Sequence, residues 1–490
     1  MTSIGMFSFD NSYKKLPKEF FSEQKPEQVA DPNLVIFNKD LGSNFGLSQE
    51  FIEEEKDLAQ YFSGNKLLTG SEPIAQAYAG HQFGQANPQL GDGRAILLGE
   101  ILTQDNKRFD LQVKGSGRTP YSRNGDGKAW LGPVLREYLV SEAMYKLGIP
   151  TTRALCAVTT GENIYREREL PGAILTRIAS SHIRVGTFEY FFFRKDLEST
   201  KILADYTIQR HYPHCEGDYL AFFKEVCKKQ AQLITKWLSI GFIHGVMNTD
   251  NTSISGETID YGPCAFMDFY DPQTVFSSID HGGRYAYGQQ PAIAHWNLTC
   301  LANCLLELID QDEETAINLC SDALNEFSKN FNEDYEKTFL AKVGLTKIND
   351  NDFDLVKEFQ QIMFENKADF TLSYRFLADQ IEAKTEEFYK LFDNTMQLDT
   401  WLEKWQERLK QEKIELKQIQ KNMNAINPIF IPRNHNVEAM ITQASEDKDF
   451  SLLNALLQAA AKPYESQEQY QEFYKEPQVK DGSYVTFCGT

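Results

Sequence analysis

The chain has 490 residues, more than one average domain needs, which predicts a two-lobed body or two to three domains. Its hydrophobic content of 41% excludes global disorder, and its net charge of −20 argues against a nucleic-acid binder or a protein that adsorbs to anionic membranes. The N-terminus lacks a signal-peptide pattern, no apolar run approaches a membrane span, and the cysteines form no CxxC pair. We therefore expect a cytoplasmic protein with reduced thiols, bound neither to membranes nor to nucleic acid.

The first 180 residues predict an extension followed by a β-rich unit. Residues 1–60 mix aromatic residues with Lys and Glu, which predicts an extension that packs on the body and carries a short helix near 48–62. From Ala75 the pattern becomes β-like. Residues 108–114, RFDLQVK, alternate apolar and polar side chains, so this strand should end with Lys114 on its polar face.

Two glycine-rich loops flank this strand. Gly91 and Gly93 belong to a GDG loop, where glycines let backbone N–H groups approach a phosphate without a Cβ clash. GDG is also a common hairpin turn, so the motif alone leaves both interpretations open. The second loop, NGDGK, contains Asp126 and Gly127.

A helix with a functional candidate follows the second loop. Residues 132–150 predict a helix that starts near Pro133 and stops at Gly148. Glu137 lies near its start, 23 residues after Lys114. Kinases use a strand lysine and a helix glutamate in this order to fix the lysine on the phosphates. The alternative is an ordinary solvated glutamate.

Strands are predicted to resume at residues 151–160, 162–167 and 171–179, and two arginines follow. Arg177 lies at the end of the last strand, and Arg184 lies seven residues later on a strand-to-helix connection. Planar guanidinium groups at these positions could clamp a phosphate. Exposed arginines that pair with surface carboxylates are the simpler alternative.

The stretch from His244 to Asp268 combines two polar clusters with a predicted hairpin at 252–259. Asn251 and Asp260 have the residue types and order with which kinase-like proteins hold the metal that bridges a nucleotide's phosphates. Ordinary kinases place a catalytic Asp two residues after the His, but this position is Val246, which cannot accept a proton. Asp250 is the nearest carboxylate, so the proposed base has moved.

Helical patterns dominate the rest of the chain. An amphipathic helix is predicted at 217–242, and period-3.6 patterns follow from Trp296 onwards. The predicted helices are 296–310, 313–331, 333–345, 352–365, 375–395, 397–423 and 450–462. The predicted organisation is an extension (1–60), an N-lobe (61–180), a helical C-lobe (181–465) and a C-terminal tail (466–490) with Cys488. This order indicates an α+β, two-lobed protein-kinase-like fold with a β-rich N-lobe and a large, mostly helical C-lobe.

Several longer strings resemble one family. YAGHQFGQ, LGDGRA, LQVKGSGRTPYSR, HGVMNTDN, TIDYGPCAFMD and NPIFIPRN resemble the selenoprotein O family, known in bacteria as YdiU. The resemblance runs from about residue 70 through 290 and resumes at NPIFIPRN. It implies a pseudokinase fold that binds ATP in a flipped orientation and transfers AMP to Ser, Thr or Tyr hydroxyls of proteins. Transfer of UMP from UTP has also been attributed to bacterial members.

The resemblance also implies individual roles. Asp250 matches the catalytic proton acceptor, and Asn251 with Asp260 matches the ligands of Mg²⁺ or Mn²⁺. The matched nucleotide contacts are Gly91, Gly93, Arg94, Lys114, Asp126, Gly127, Asp260 and the γ-phosphate pair Arg177 and Arg184, with Glu137 paired to Lys114. Cys488 matches a C-terminal cysteine that some members pair with a cysteine of the activation segment, here near Phe276; Cys264 is the closest thiol.

Three functions remain open at this stage. AMP transfer is favoured, and the expected protein is a monomer that uses ATP and protein substrates. Conventional phosphotransfer to a protein or small molecule conflicts with Val246. A non-catalytic nucleotide-binding scaffold conflicts with the complete set of Lys114, Glu137, Asp250, Asn251 and Asp260.

Overall fold

An antiparallel sheet forms the N-terminal part of the computed structural model, which describes residues 7–347, 349–477, 484 and 486. Within the described residues, the strands are β1 (Phe21–Glu23), β2 (Asn33–Phe37), β3 (Ile74–Gln76), β4 (Gly80–Gln82), β5 (Gln85–Asn87), β6 (Ala95–Leu102), β7 (Arg108–Lys114), β8 (Ala129–Trp130), β9 (Arg153–Tyr165), β10 (Glu169–Ala179), β11 (Phe242–Ile243) and β12 (Ala265–Phe266). The main sheet has the order β1-β3-β6-β7-β10-β9-β2, and β8 pairs with β10. The pairs β4–β5 and β11–β12 lie outside it.

Helices cover the sheet and build the second lobe. They are α1 (Lys39–Asn44), α2 (Gln49–Glu53), α3 (Glu55–Phe62), α4 (Leu131–Lys146), α5 (Val185–Phe192), α6 (Leu197–His211), α7 (Tyr219–Ser239), α8 (Gln290–Ile309), α9 (Glu313–Lys342), α10 (Asp352–Asn366), α11 (Phe370–Leu377), α12 (Glu386–Tyr389), α13 (Thr395–Leu409), α14 (Leu416–Ile426), α15 (Asn434–Glu446) and α16 (Ser451–Ala460). Every helix from α5 onwards belongs to the C-terminal part, which confirms the predicted α+β, two-lobed protein-kinase-like fold.

Two apolar layers sandwich the sheet and position β7. Leu111 and Val113 face a core shared with α1–α3, as the alternation of RFDLQVK predicts. Helix α4 packs on β9 and β10 through a separate core that continues into the helical lobe. The opposite face of β7 carries Asp110, Gln112 and Lys114, all buried. Buried polar groups need partners, so this face is where a polar network is expected.

The N-terminal residues take part in the sheet. Residues 1–60, expected to be an extension packed on the body, contribute β1 and β2, which are the two outermost strands of the main sheet. They also contribute α1–α3 to the apolar layer beneath β7. The N-terminal segment is therefore built into the N-lobe.

Several predicted element boundaries are wrong. Residues 313–331 and most of 333–345 form one helix, α9, which ends at Lys342, because no Gly or Pro interrupts the chain before Gly344. The predicted helix 397–423 is two helices, because Lys413 adopts a left-handed conformation with φ 56°. The predicted helix 375–395 is also interrupted, with a 3₁₀ turn at Ala378–Ile381 after α11.

The expected hairpin at 252–259 is also wrong, although its turn at Ser255-Gly256 is present. Its two arms do not pair with each other. Ser253 bridges to Arg184, and Thr258 bridges to Thr151. The segment therefore ties the cleft to the connection after β10 and to the start of β9.

One helical stretch, Tyr287–Ile309, has the length and hydropathy to cross a membrane, and half of it is buried inside the protein. Helix α8, which makes up most of it, packs against α5, α7 and α9. This packing is that of a core helix of the C-lobe.

The described part of the tail docks beside the loop that follows Asp260. The Thr486 hydroxyl donates to the backbone oxygen of Pro263 at 2.6 Å, and the Tyr484 hydroxyl donates to Glu438 at 2.8 Å. Cys264 is buried, whereas Cys488 lies outside the described residues.

Candidate active site

A cavity of about 500 Å³ lies between the sheet and the first loops of the helical lobe. Of the predicted residues, it is lined by Gly93, Arg94, Lys114, Arg177, Arg184, Asp250, Asn251 and Asp260. A second cavity, also about 500 Å³, shares Gly93, Arg94 and Asp250 and adds Gly91, Asp126 and Gly127. Glu137 lines neither cavity but contacts Lys114. The fold thus brings the predicted site residues to one continuous cleft.

Lys114 is held between two carboxylates. Its Nζ lies 2.7 Å from Glu137 Oε2 and 2.7 Å from Asp260 Oδ1. The expected contact between the strand lysine and the helix glutamate is therefore present, and the solvated-glutamate alternative is wrong because Glu137 is buried. Lys114 reaches the cleft because it ends β7 on the sheet face that α4 covers.

Arg177 joins the same network. Its Nη1 donates to Glu137 Oε1 at 2.9 Å and to Asp260 Oδ1 at 2.8 Å, while its Nε donates to Gln112 Oε1 at 2.9 Å. The side chain is almost fully buried, so the interpretation of an exposed surface arginine is wrong. Its position follows from the pairing of β10 with β7, which sets Arg177 opposite Gln112.

Arg184 completes the group of cations, and it is also buried. Its two terminal nitrogens lie 3.5 Å from Asp92 Oδ1 and 3.5 Å from Asp260 Oδ2. The guanidinium carbon lies 4.3 Å from the centre of the Tyr78 ring. Within the described residues, its buried Nε has no hydrogen-bond partner. A guanidinium N–H without a partner beside an open cavity is suited to an anionic ligand.

We name Lys114, Arg177, Arg184, Asp260, Glu137 and Asp92 the ion cluster. Burial opposes the ionisation of Asp260, but Arg177 and Lys114 outweigh it and hold the pKa of Asp260 well below its ordinary value. Asp260 also has a φ of 60°, a left-handed conformation that Asp and Asn tolerate better than most residues. The cluster therefore presents an ionised carboxylate, fixed on three cations, at the wall of the cavity.

Asp250 lies apart from these ion pairs. It is buried, and its Oδ1 has no hydrogen-bond partner among the described residues. Burial raises the pKa of Asp250 to about 6. A carboxylate with this pKa can accept a proton near neutral pH, which suits a general base. Val246, at the position of the usual kinase base, lines the same cavity.

Asn251 and Asp260 offer oxygen atoms for a divalent cation. The Asn251 amide nitrogen donates to the backbone oxygen of Val246 at 3.0 Å, so its carbonyl oxygen is available to the cavity. Amide and carboxylate oxygens are the ligand types that Mg²⁺ and Mn²⁺ prefer. The donor set thus fits such an ion. His244 forms a hydrogen bond through Nε2 with the backbone oxygen of Ile259 and stacks on Trp237, and these contacts fix the loop that it begins.

The two glycine-rich loops differ in their surroundings. The GDG loop is not a hairpin turn: the Asp92 N–H donates to the backbone oxygen of Gln76, and Gly91 and Gly93 pack against Tyr121. A Cβ on Gly91, whose φ is 84°, would lie 2.3 Å from the Tyr121 ring. In the outer cavity, Asp126 accepts two hydrogen bonds from Arg166, at 2.9 and 3.0 Å. Asp126 is therefore oriented by Arg166.

Sequence reasoning missed residues that hold the site together. Asp92 lies inside the GDG motif yet was not singled out, and Tyr78 packs beneath Arg184. His81, Glu189 and Thr249 form hydrogen bonds directly beside Asp250. The string YAGHQFGQ, which contains Tyr78 and His81, was the available signal.

One further cluster has ligand types that could bind a metal. Ligand atoms of His81, Glu189 and Cys300 lie within 4.8 Å of one another. Glu189 already accepts hydrogen bonds from its neighbours without an ion, and burial raises the pKa of the Cys300 thiol to about 12. The contacts of Glu189 in this cluster are thus explained as hydrogen bonds.

Comparison with known proteins finds relatives along nearly the whole chain. Residues 4–461 match the family model described as Protein adenylyltransferase SelO. The chain is 51% identical over 490 residues to the Protein nucleotidyltransferase YdiU of Maridesulfovibrio salexigens, which covers 99% of both chains. It is 53% identical over 489 residues to the protein of that name from Rhizobium meliloti, again over 99% of both. The Rhizobium rhizogenes protein is 53% identical over 487 residues, or 98% of this chain and 97% of the relative.

Proposed function

The chain belongs to the SelO family of protein nucleotidyltransferases, and we propose that it transfers AMP from ATP to Ser, Thr or Tyr hydroxyls of proteins and releases pyrophosphate. Asp250 acts as the base, and Asn251 and Asp260 hold the divalent cation. UTP, with transfer of UMP, is the alternative nucleotide.

The observation that carries the proposal is the separation of Asp250 from the ion cluster. Asp250 lines both cavities and takes no part in the ion pairs of the cluster, whereas Lys114, Arg177 and Arg184 are gathered around Asp260. A base that takes a hydroxyl proton must keep a free oxygen at the reacting centre. The cations suit the other end of the reaction, where a leaving pyrophosphate accumulates negative charge.

The protein's own groups then have distinct tasks. Asp250 accepts the proton of the acceptor hydroxyl as that oxygen attacks the α-phosphorus. Arg177, Arg184 and Lys114 bind the phosphates that leave, because buried, fixed cations need no reorganisation as the charge develops. Asn251 and Asp260 would hold a divalent cation, which when bound would supply further charge neutralisation at the phosphates.

A conventional kinase is the second candidate, and Val246 speaks against it. A valine cannot accept the proton of an acceptor hydroxyl at the position that kinases use. A non-catalytic scaffold would have no need of the buried, unpaired oxygen on Asp250, which costs stability.

Labelled nucleotides test the proposal directly. The purified protein is incubated with Mg²⁺ or Mn²⁺ and ATP that carries ³²P at the α or the γ position, and the labelled protein is separated on a gel. Label from the α position alone supports nucleotidyl transfer, and α-labelled UTP tests the alternative nucleotide. Label from the γ position alone would favour the kinase. Asp250→Asn serves as the control, because it preserves the side-chain shape and removes the base.

A further inference from the structure

The segment Tyr78–Gln85, YAGHQFGQ, lies across the loop that carries Asp250, and none of the proposed roles accounts for it. We infer that this segment, together with Glu189, positions the Asp250 carboxylate for proton transfer. The predicted effect on rate rests on the proposed function, whereas the contacts that fix the loop do not.

Two backbone N–H groups of the segment hold the residues directly before Asp250. The His81 N–H donates to Thr249 Oγ1 at 2.6 Å, and the Phe83 N–H donates to Asn248 Oδ1 at 3.1 Å. The Tyr285 hydroxyl donates to the same Asn248 oxygen at 2.6 Å. Thus two backbone N–H groups of the segment bind the side-chain oxygens of Asn248 and Thr249.

Glu189 joins the segment to the loop from helix α5. Its Oε2 accepts a hydrogen bond from the Thr249 hydroxyl at 2.5 Å, and its Oε1 lies 2.5 Å from His81 Nδ1. Within the described residues, Glu189 forms no ion pair with Lys or Arg. A buried carboxylate needs hydrogen-bond partners, so displacing either Thr249 or His81 from Glu189 would cost free energy. Glu189 therefore locks Thr249 and His81 to each other.

Glycines bring the segment against Asp250 itself. A Cβ on Gly80 would lie 2.5 Å from Asp250 Oδ1, and a Cβ on Gly186 would lie 3.2 Å from Asp250 Cα. Gly80 does not adopt a left-handed conformation, so alanine is excluded there by space rather than by backbone strain. The carboxylate is thus confined on the side where Gly80 lies.

Single substitutions separate positioning from folding. Gly80→Ala pushes on the carboxylate, Glu189→Gln removes one acceptor charge, and Thr249→Val removes the hydroxyl while keeping the side-chain shape. Gly282→Ala is the matched control, because nothing lies within 4 Å of its added Cβ. We expect Gly80→Ala and Thr249→Val to lower kcat about 100-fold, the scale of a misplacement of about 1 Å. The Kd for Mg·ATP should change less than about threefold, since the ion cluster is untouched.

The full-length protein is used for three measurements: single-turnover transfer, Mg·ATP binding by calorimetry, and hydrogen exchange of the amides of residues 246–252. Faster exchange and lost kcat in Gly80→Ala and Thr249→Val, with retained binding and partial recovery in Thr249→Ser, would support the inference. Wild-type kcat in Gly80→Ala would overturn it, as would a parallel loss of binding and thermal stability, which indicates a general folding role. If the wild type transfers no nucleotide, the proposed function fails, and unchanged exchange in Thr249→Val would separately refute positioning.

Discussion

Asp260→Asn removes one carboxylate from the ion cluster and should destabilise the ligand-free protein. Three cations, Lys114, Arg177 and Arg184, would then face two carboxylates, Glu137 and Asp92. Removing one partner of a buried ion pair costs about 3–5 kcal/mol. The Asp260 side chain is 21% exposed, so solvent screening favours the lower limit, about 3 kcal/mol. Asn also tolerates the φ of 60°, which removes backbone strain as the cause.

Thermal denaturation measures this loss. The entropy of unfolding of a chain of this length is about 1 kcal/mol/K, so Tm should fall by about 3 °C if the chain unfolds as one unit. A cooperative N-lobe would show a larger drop, because a smaller unit has a smaller unfolding entropy. Asp322→Asn is the matched control, since Asp322 is exposed on α9 and forms no ion pair in the described part of the chain.

Two ligands make the test more specific. Compared with their effects on the wild type, pyrophosphate should raise the Tm of Asp260→Asn more and Mg·ATP should raise it less. Pyrophosphate in EDTA should raise the Tm of Asp260→Asn more than that of the wild type, since the released cations gain a new partner. Mg·ATP should stabilise Asp260→Asn less than the wild type, since the metal loses a carboxylate ligand. An unchanged Tm together with equal responses to both ligands would refute the account of the ion cluster.

Three further substitutions or treatments test other parts of the molecule. Asp250→Ala should lower α-label transfer by about 10²–10⁴-fold, the contribution of a general base, while calorimetry shows Mg·ATP still bound; full turnover would disprove its role. EDTA should abolish transfer, and added Mg²⁺ or Mn²⁺ should restore it; transfer that persists in EDTA would exclude the metal's role. Lys342→Met should stabilise the fold by about 1–3 kcal/mol at pH 6, because Lys342 is buried on Tyr374 with no ion pair among the described residues. Burial lowers the pKa of Lys342 to about 7 in the folded protein. Above pH 7 the unfolded wild type therefore binds more protons than the folded wild type, and the folded wild type gains stability as the pH rises towards the ordinary lysine pKa. The advantage of the Met variant in denaturant titrations should therefore shrink between about pH 7 and pH 10, and a constant difference would contradict the burial of an ionisable amine.

Local patterns predicted the parts of the site that depend on neighbouring residues in the chain. The alternation in β7 fixed the face of Lys114. Its contact with Glu137 could be anticipated from the order of a strand lysine and a helix glutamate, although a solvated Glu137 stayed open as the alternative. The burial of Arg177 could not be anticipated, because it depends on the pairing of β10 with β7. The break at Lys413 was equally hidden, since a left-handed lysine has no signature in the sequence.

The residues that hold the loop of Asp250 were hidden for a related reason. Thr249, His81 and Glu189 come from three distant parts of the chain, and only the folded lobes bring them together. Hydrogen-bonded residues of this kind have no spacing rule, unlike a helix face or a strand. The family resemblance assigned a role to Asp250 but none to the residues that hold it.

The charges of the cleft imply that nucleotide binding is an exchange of anions. In the ligand-free protein, Lys114, Arg177 and Arg184 are already neutralised by Glu137, Asp260 and Asp92. Phosphates that enter the cavity therefore compete with Asp260 for the same cations, and the net affinity is the difference between two sets of strong interactions. Asp260 loses these partners without penalty only if a divalent cation takes their place on its oxygens. The arrangement thus favours the binding of a nucleotide that arrives together with its metal over the binding of free pyrophosphate. Weak binding of free pyrophosphate allows this product of the reaction to leave.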